Sequence, residues 1–463
     1  MTPCRISLLG LCLDLYHTMI PEYIPVYQEN LERYGAILGQ RGMLVSRRLC
    51  FRRDEVDAAV SDAEAADADV LVIVYLAYAP SMIALPRLVR THLPLLIWNV
   101  QNLAGITPDF SARQRIENHA IQGHQDLCNG LVRARRPFGL ASGHGADPRH
   151  LAALDDWLAA CRAVSLSRKL RVGLLGRPFP GMGDFGVDET LMALRWGPDV
   201  VDIPMADLAA HFEAIAPSAV DAEIADDHAR FDIDPAVEPE HHRYSARLAL
   251  ALRRLAAERN LHAFTTNFGS FVNCPSIQTA PFLGINHLIA ANHGYAGEGN
   301  VTIAALDALL GRLFGQSNFC EMFTPDYAND RLFFYHMAEG NYAMARPAPP
   351  PRLIQVPFFP DSCRPYLTPV YRYEPGPSTF VNLTTDAEER FRLIAFEADV
   401  TDDGLDEPMT APYFFIRVAG RVGDLIDAYG MAGGTHHLCR IRGRRSDQLA
   451  RIARMLGMDW VRL

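Results

Sequence analysis

Short apolar runs alternate with helical spacing along the first two thirds of the chain. "RISLLGLCLDLY" (5–16) predicts a strand, and residues 22–40 carry helical spacing through Tyr23, Tyr27, Leu31 and Leu38. "MLVSRRLCF" (43–51) and "DVLVIVYLAY" (69–78) predict strands around an alanine- and acid-rich helix. "LPLLIWNV" (93–100) and "PFGLASGH" (137–144) extend the series, and a helix at 148–165 closes it. Apolar runs separated by helices read as parallel strands covered on both faces. The pattern restarts with the strand "KLRVGLLG" (169–176), a helix at 187–195, the strand "DVVDIP" (199–204) and a helix at 238–258. It continues with the strand "LHAFTTNF" (261–268) and helices at 278–291 and 300–313.

After about residue 318 the texture changes. A proline-rich stretch (345–378) suits edge strand or irregular chain, because proline avoids central strands and helix interiors. Short β-like runs follow ("STFVNLT", "FRLIAFEAD", "PYFFIRVAG", "THHLCRIRG"), and a helix at 446–457 comes last. The expected fold is α/β: two Rossmann-like open parallel-sheet domains, 1–168 and 169–317, followed by a β-rich C-terminal domain, 318–463.

Composition narrows the function classes. Over 463 residues the formal net charge is -10, which argues against a nucleic-acid partner, since tracking phosphates wants a basic face. Nine cysteines are scattered without a CxxC pair, so neither a disulfide framework nor a thiolate zinc site is expected, and a reducing cytoplasmic setting fits. "MTPCRISLLGLCLDLYH" reads as a first buried strand, not a signal peptide. No apolar stretch reaches the roughly 20 residues that span a bilayer, so no membrane partner is expected.

Four places gather ligand-type side chains near glycines and turns: Glu298 in "GYAGEGN", Glu321 in "NFCEMFTPDY", His336 in "FFYHMAEGN", and His436 and His437 in "GGTHHLC". Two carboxylates and two imidazoles suit a borderline divalent cation such as Mn²⁺ or Co²⁺. Each also has a plain structural reading. A glutamate at a helix start is favoured by the macrodipole, Glu321 fits a surface acid, and His336 between apolar residues fits a core histidine. Strand alternation points His436 and His437 to opposite faces unless the strand is bent there. "VGLLGRPFPGMG" (172–183) has glycines after a strand, as in phosphate-binding turns, but not the G-x-G-x-x-G spacing. It reads as a loop at the carboxyl end of a strand, where open sheets bind ligands. The acidic run 222–244, with His241 and His242, reads as a solvated loop entering a helix, without a catalytic role.

In this order the stretches resemble the L-arabinose isomerase family, within the wider L-fucose/L-arabinose isomerase group. "AFTTNF" leading to "GYAGEGN", the pair "NFCEMFTPDY" and "FFYHMAEGN", and "GGTHHLC" are similar to that family's glutamate, F-x-E-D-Y-T, His-Met-x-Glu and G-G-A-H-H segments. "NHAIQGHQDLCNGLVRARRPFGLASGHGADP" (118–148) and "RWGPDVVDIPMADL" (195–208) also have counterparts. The resemblance implies a metal-dependent aldose–ketose isomerase working through a cis-enediolate. It implies Mn²⁺, or Co²⁺ or Mg²⁺, held by Glu298, Glu321, His336 and His437, with Glu298 and Glu321 as the acid/base pair. His436, Phe268 and Met182 would face a small-molecule sugar. His124 and Gln122 would complete the site of a neighbouring subunit in a homo-oligomer, a trimer or hexamer.

The departures are equally specific. Leu13 stands where the family has a substrate-contacting glutamine, Met322 replaces the acid after the F-x-E glutamate, and Gly269 and Ser270 replace an acidic pair. The expected substrate is therefore a sugar other than L-arabinose. The same residue types would also serve metal-dependent epimerisation or aldol cleavage, or sugar binding in a non-catalytic, regulatory protein.

Overall fold

The computed structural model describes residues 3–272, 274–359 and 363–463. The chain packs into two compact units, one of residues 1–166 with 447–457, the other of 167–446 with 458–463.

The first unit holds five parallel strands: β1 (Arg5–Leu11), β2 (Met43–Cys50), β3 (Val70–Tyr75), β4 (Leu95–Gln101) and β5 (Gly139–His144), in the order β2-β1-β3-β4-β5. All six residues of β3 are buried, as a central strand covered on both faces requires. Each fully buried Val, Leu or Ile contributes on the order of 1.5–3 kcal/mol. β1 stops at Leu11, short of the expected residue 16. Beyond it the chain turns into a short helix, Tyr16–Met19, and exposed Asp14 lies 3.5 Å from the Arg52 guanidinium. A charged side chain there has no place in a sheet interior. The late helix Ser446–Leu456 belongs mostly to this unit, where Gln448 donates to Asp156 (2.7 Å) and Arg451 pairs with it (3.2 Å).

The second unit contains a parallel sheet of β6 (Arg171–Leu175), β7 (Asp199–Ile203), β9 (Ala263–Thr266) and β10 (Gly294–Gly297), ordered β10-β9-β6-β7. The two-residue β8 (Asp232–Ile233) instead joins β13 (Arg352–Val356) and β14 (Tyr366–Val370) in a small sheet. A larger sheet follows from β11 (Ser317–Asp326), β12 (Arg331–Tyr335), β15 (Gly376–Thr385), β16 (Phe391–Val400), β17 (Tyr413–Arg417), β18 (His437–Arg442) and β19 (Asp459–Arg462). Its order is β15-β18-β11-β12-β17-β16-β19, and a ten-residue β15–β16 pairing closes the first six strands on themselves. Phe334, Phe380, Phe396 and Phe414 stack in its core. The helix Val301–Phe314 packs on β10, β9 and β6 and also on β11, β18 and β15, and it is buried on all sides from Val301 to Gly311. A helix that is apolar all round needs such a double burial. Its N-terminus lies where the parallel sheet meets the closed one.

The acidic run differs from expectation. Residues Pro217–Arg230 form a helix, and Asp227 on it is fully buried. Partners explain this: Asp227 accepts from His242 (3.0 Å), lies 3.1 Å from His287 Nε2, and Glu223 beside it is gripped by Arg253 (3.1 and 2.5 Å). Among the described residues, no helix is long and apolar enough to cross a membrane.

Candidate functional site

Glu298 follows β10 directly. It stands just ahead of the next helix, where the helix-start reading put it, and outside that helix's first turn. That helix begins at Val301 and is capped by Asn300, whose Oδ1 accepts from Ile303 N at 3.0 Å. Glu298 instead adopts a left-handed backbone with φ 64°, which costs a side-chain-bearing residue roughly 1–2 kcal/mol. The surroundings hold it there. Its carbonyl accepts from Phe179 N (2.8 Å), and Thr265 Oγ1 donates to Ala296 O (2.7 Å) while accepting from Gly299 N (3.0 Å). Both flanking glycines are sterically required. A Cβ on Gly299 (φ 90°) would meet Pro178 Cα at 2.4 Å, and one on Gly297 would meet His336 Cε1 at 2.9 Å.

The closed sheet supplies the facing residues. Glu321 on β11 is the register partner of His437 on β18, so their side chains rise from one face. His336 comes just after β12, on the other side of β11. His336 Nε2 lies 3.6 Å from Glu321 Oε2, and His437 Nε2 lies 3.6 Å from Glu298 Oε2. Phe319 sits edge-on to both His336 and His437. The ligand atoms form two trios, Glu298–His436–His437 and Glu321–His336–His437, each within 4.8 Å and sharing His437.

His436 and His437 do not point to opposite faces. β18 begins only at His437, so alternation does not reach His436, and the two ring centroids are 4.1 Å apart. Asp184 takes His436 Nδ1 at 2.6 Å and His436 N at 3.1 Å, leaving Nε2 at 3.4 Å from Glu298 Oε2. Phe185 packs against both rings at 5.0 Å.

Protonation follows burial and neighbours. Burial pushes the Glu321 carboxyl up, and the nearby histidines only partly offset it. Burial alone would lower the His336 imidazole, but the Glu339, Glu321 and Glu298 carboxylates turn the balance upward. Glu339 accepts from His336 Nδ1 (2.7 Å) and from Tyr295 OH (2.9 Å), fixing the ring so that Nε2 faces the cluster. His437 is held well below its ordinary value by burial, then by His336 and His436. Burial also opposes a charged His436, yet the Glu298 and Asp184 carboxylates outweigh it and lift it to about 9.

The other expected site residues are spread over both units. Phe268 lines a small cavity with Glu298 and His336 and packs on Phe179 at 5.4 Å. Met182 is half-buried in the loop just before Asp184. Leu13, Gln122 and His124 lie in the first unit, the cluster in the second. Leu13 is half-buried and Gln122 exposed. His124 is buried against Tyr75, its Nδ1 facing Ala120 O, and burial lowers it to about 4. Sequence reasoning missed Asp184, Phe185, Tyr295 and Glu339. The "HMAEGN" spacing could have flagged Glu339 three residues after His336, but nothing local marks Asp184, which is 252 residues from its histidine.

Models of two family domains match the chain: the L-arabinose isomerase central domain over residues 187–314 and the L-arabinose isomerase C-terminal domain over 316–459. The L-arabinose isomerase of Nocardioides sp. is 26% identical over 472 residues, covering 96% of this chain and 91% of that protein. That of Serratia proteamaculans is 23% identical over 436 residues (90% and 85%), and that of Geobacillus kaustophilus 25% over 401 (83% and 78%). The two domain matches run in chain order and meet near residue 315, where the parallel sheet gives way to the closed one. With identities this low along nearly the whole length, the chain is a divergent member of the L-arabinose isomerase family.

Proposed function

We propose that this protein is a metal-dependent aldose–ketose isomerase acting on a sugar other than L-arabinose. The observation that carries the reading is the pair of carboxylate–imidazole trios joined at His437. The donor set fits a divalent ion. His437 Nε2 is buried without a hydrogen-bond partner among the described residues, and mixed carboxylate and imidazole donors suit Mn²⁺ or Co²⁺ better than Mg²⁺. Glu298, Glu321, His336 and His437 would hold the ion, which when bound polarises the carbonyl and offsets the charge of the enediolate.

The chain's own groups handle the protons. Moving a carbonyl from C1 to C2 requires removal of the C2 proton, delivery of one to C1, and passage of the hydroxyl proton from O2 to O1. One of the two glutamates takes the first proton and the other returns the second. His436, clamped by Asp184, donates a hydrogen bond to a sugar oxygen. Leu13 in place of a polar reader, with Gly269 and Ser270 in place of acids, supports a changed substrate. By family likeness, Gln122 and His124 complete a neighbour's site in a trimer or hexamer. Nine free cysteines support a reducing, cytoplasmic setting.

The test is an aldose panel with Mn²⁺, comparing wild type with Glu298→Gln and Glu321→Gln. Conversion by wild type, falling at least a hundredfold in each variant, supports the reading. Product NMR in D₂O separates isomerisation from epimerisation and chain cleavage. Absence of tight metal binding together with absence of turnover would sink it.

A further inference from the structure

The loop after β6 was singled out by its glycines, and the chemistry above leaves part of it unused. In the parallel sheet the chain leaves β6 for β7 on one side and later enters β9 on the other. β6 and β9 therefore flank the topological switch point. In open α/β sheets, ligands bind outside the carboxyl ends of the strands at such a point. A cleft of about 710 Å³ lies there, walled by the Gly176–Pro180 loop on one side and by Asn267, Gly269 and Ser270 on the other. That volume accommodates a small molecule.

The cleft borders the cluster. Phe179 in its wall donates its backbone N–H to the Glu298 carbonyl (2.8 Å), and its ring packs on Phe268, which lines the cavity of Glu298 and His336. Its charge is one-sided. Arg177 is the single ionisable residue among the described residues lining the cleft, and it makes no ion pair among them. Ser270 Oγ makes no hydrogen bond among the described residues. Small side chains at Gly269 and Ser270 leave that wall open and free of acids.

We propose that the cleft receives the far end of the substrate, and that this end is anionic, a carboxylate or a phosphate, with Arg177 as its counter-ion. The proposal rests on the isomerase reading for the near end of the same molecule. A guanidinium offers paired N–H donors matched to either anion, with Ser270 as a neutral donor beside it.

Matched pairs of ligands test this on the Mn²⁺-loaded full chain: a uronic acid against its parent aldose, and an aldose phosphate against the free aldose. Titration calorimetry reads affinity and steady-state kinetics reads kcat/KM. The expected result is that at least one anionic member binds about tenfold or more tighter than its neutral partner. Arg177→Ala should close that gap to about twofold by weakening the anionic member more than the neutral one, and Arg177→Lys should keep part of it. Preference for the uronic acid alone or the phosphate alone identifies the anion. Equal affinity for charged and neutral members, or a preference that survives Arg177→Ala, overturns the proposal. If the anion preference and its loss in Arg177→Ala are seen but no sugar turns over, the cleft stands and the isomerase reading falls.

Discussion

Glu321 and His437 face each other as register partners across β11 and β18. A strand pair fixes the height and direction of both side chains more firmly than a loop could, because the β11–β18 ladder runs on from this pair to Ser317 and Ile441. The carboxylate's reach is then set by its own length. Glu321→Asp keeps the charge but withdraws it by one methylene. A misplacement of about 1 Å at a reacting centre costs on the order of a hundredfold in rate. We expect kcat with Mn²⁺ to fall by about that factor while the urea midpoint stays within error of wild type.

The glycines beside Glu298 separate by the neighbour each would strike. Gly299→Ala meets Pro178 backbone at 2.4 Å from a left-handed φ of 90°, so neither atom can yield. Gly297→Ala meets the edge of the His336 ring at 2.9 Å, and a ring can tilt. Equilibrium unfolding should show Gly299→Ala losing roughly 2–4 kcal/mol, in the range of overpacking plus backbone strain. Gly297→Ala should lose less stability but bind Mn²⁺ more weakly, because the displaced ring belongs to the proposed metal-holding set.

Asp307 gives a pH signature. Its carboxyl is buried, with one oxygen accepting from Tyr295 N (3.1 Å) and the other lacking a partner among the described residues, and burial raises it to about 7. An unfolded aspartate titrates near 3.9. Below that value both states are protonated and Asp307 costs nothing. As pH rises toward 7 the unfolded chain releases the proton while the folded one retains it, so stability falls and then levels off. Asp307→Asn should flatten this slope, by roughly 4 kcal/mol at most, when unfolding free energies of both proteins are compared from pH 4.5 to 8.

The Asp227 network is expected to matter for folding and not for turnover. Asp227 is fully buried and is shared by His242, His287 and, at 3.5 Å, Arg230. Removing one partner of a buried ionic group leaves the others uncompensated, at about 3–5 kcal/mol. Asp227→Asn should lower the melting temperature by several degrees. KM and kcat of the protein that remains folded should match wild type.

Much of this architecture was legible because its signals are local and periodic. The fully apolar β3 announces a buried parallel strand directly, and the short β-like runs after residue 377 announce the β-rich C-terminal sheet. Local reasoning failed where partners are distant. The 222–244 run looked solvated because its charges have no local apolar rhythm, yet His242 and His287 lie within 3.1 Å of Asp227 inside a helical layer. His436 and His437 looked opposed because alternation was applied one residue before the strand begins. Glu298 reads as a helix-start residue, but neither the cap at Asn300, two residues on, nor its left-handed backbone leaves a compositional mark beyond the glycines. Asp184 was invisible because its partner is most of a domain away.

The closed ring of β15, β18, β11, β12, β17 and β16 has a consequence for how such a protein can change. Glu321, His336 and His437 are carried on or directly beside three adjacent strands of a cycle, so slipping any one strand would break pairings with both neighbours at once. The loops after β6 and β9 carry no such constraint. Three of the four proposed metal ligands thus sit on one rigid ring, while the rim proposed to read the far end of a ligand lies on loops outside it. A lineage built this way can exchange substrates without having to reinvent its reaction.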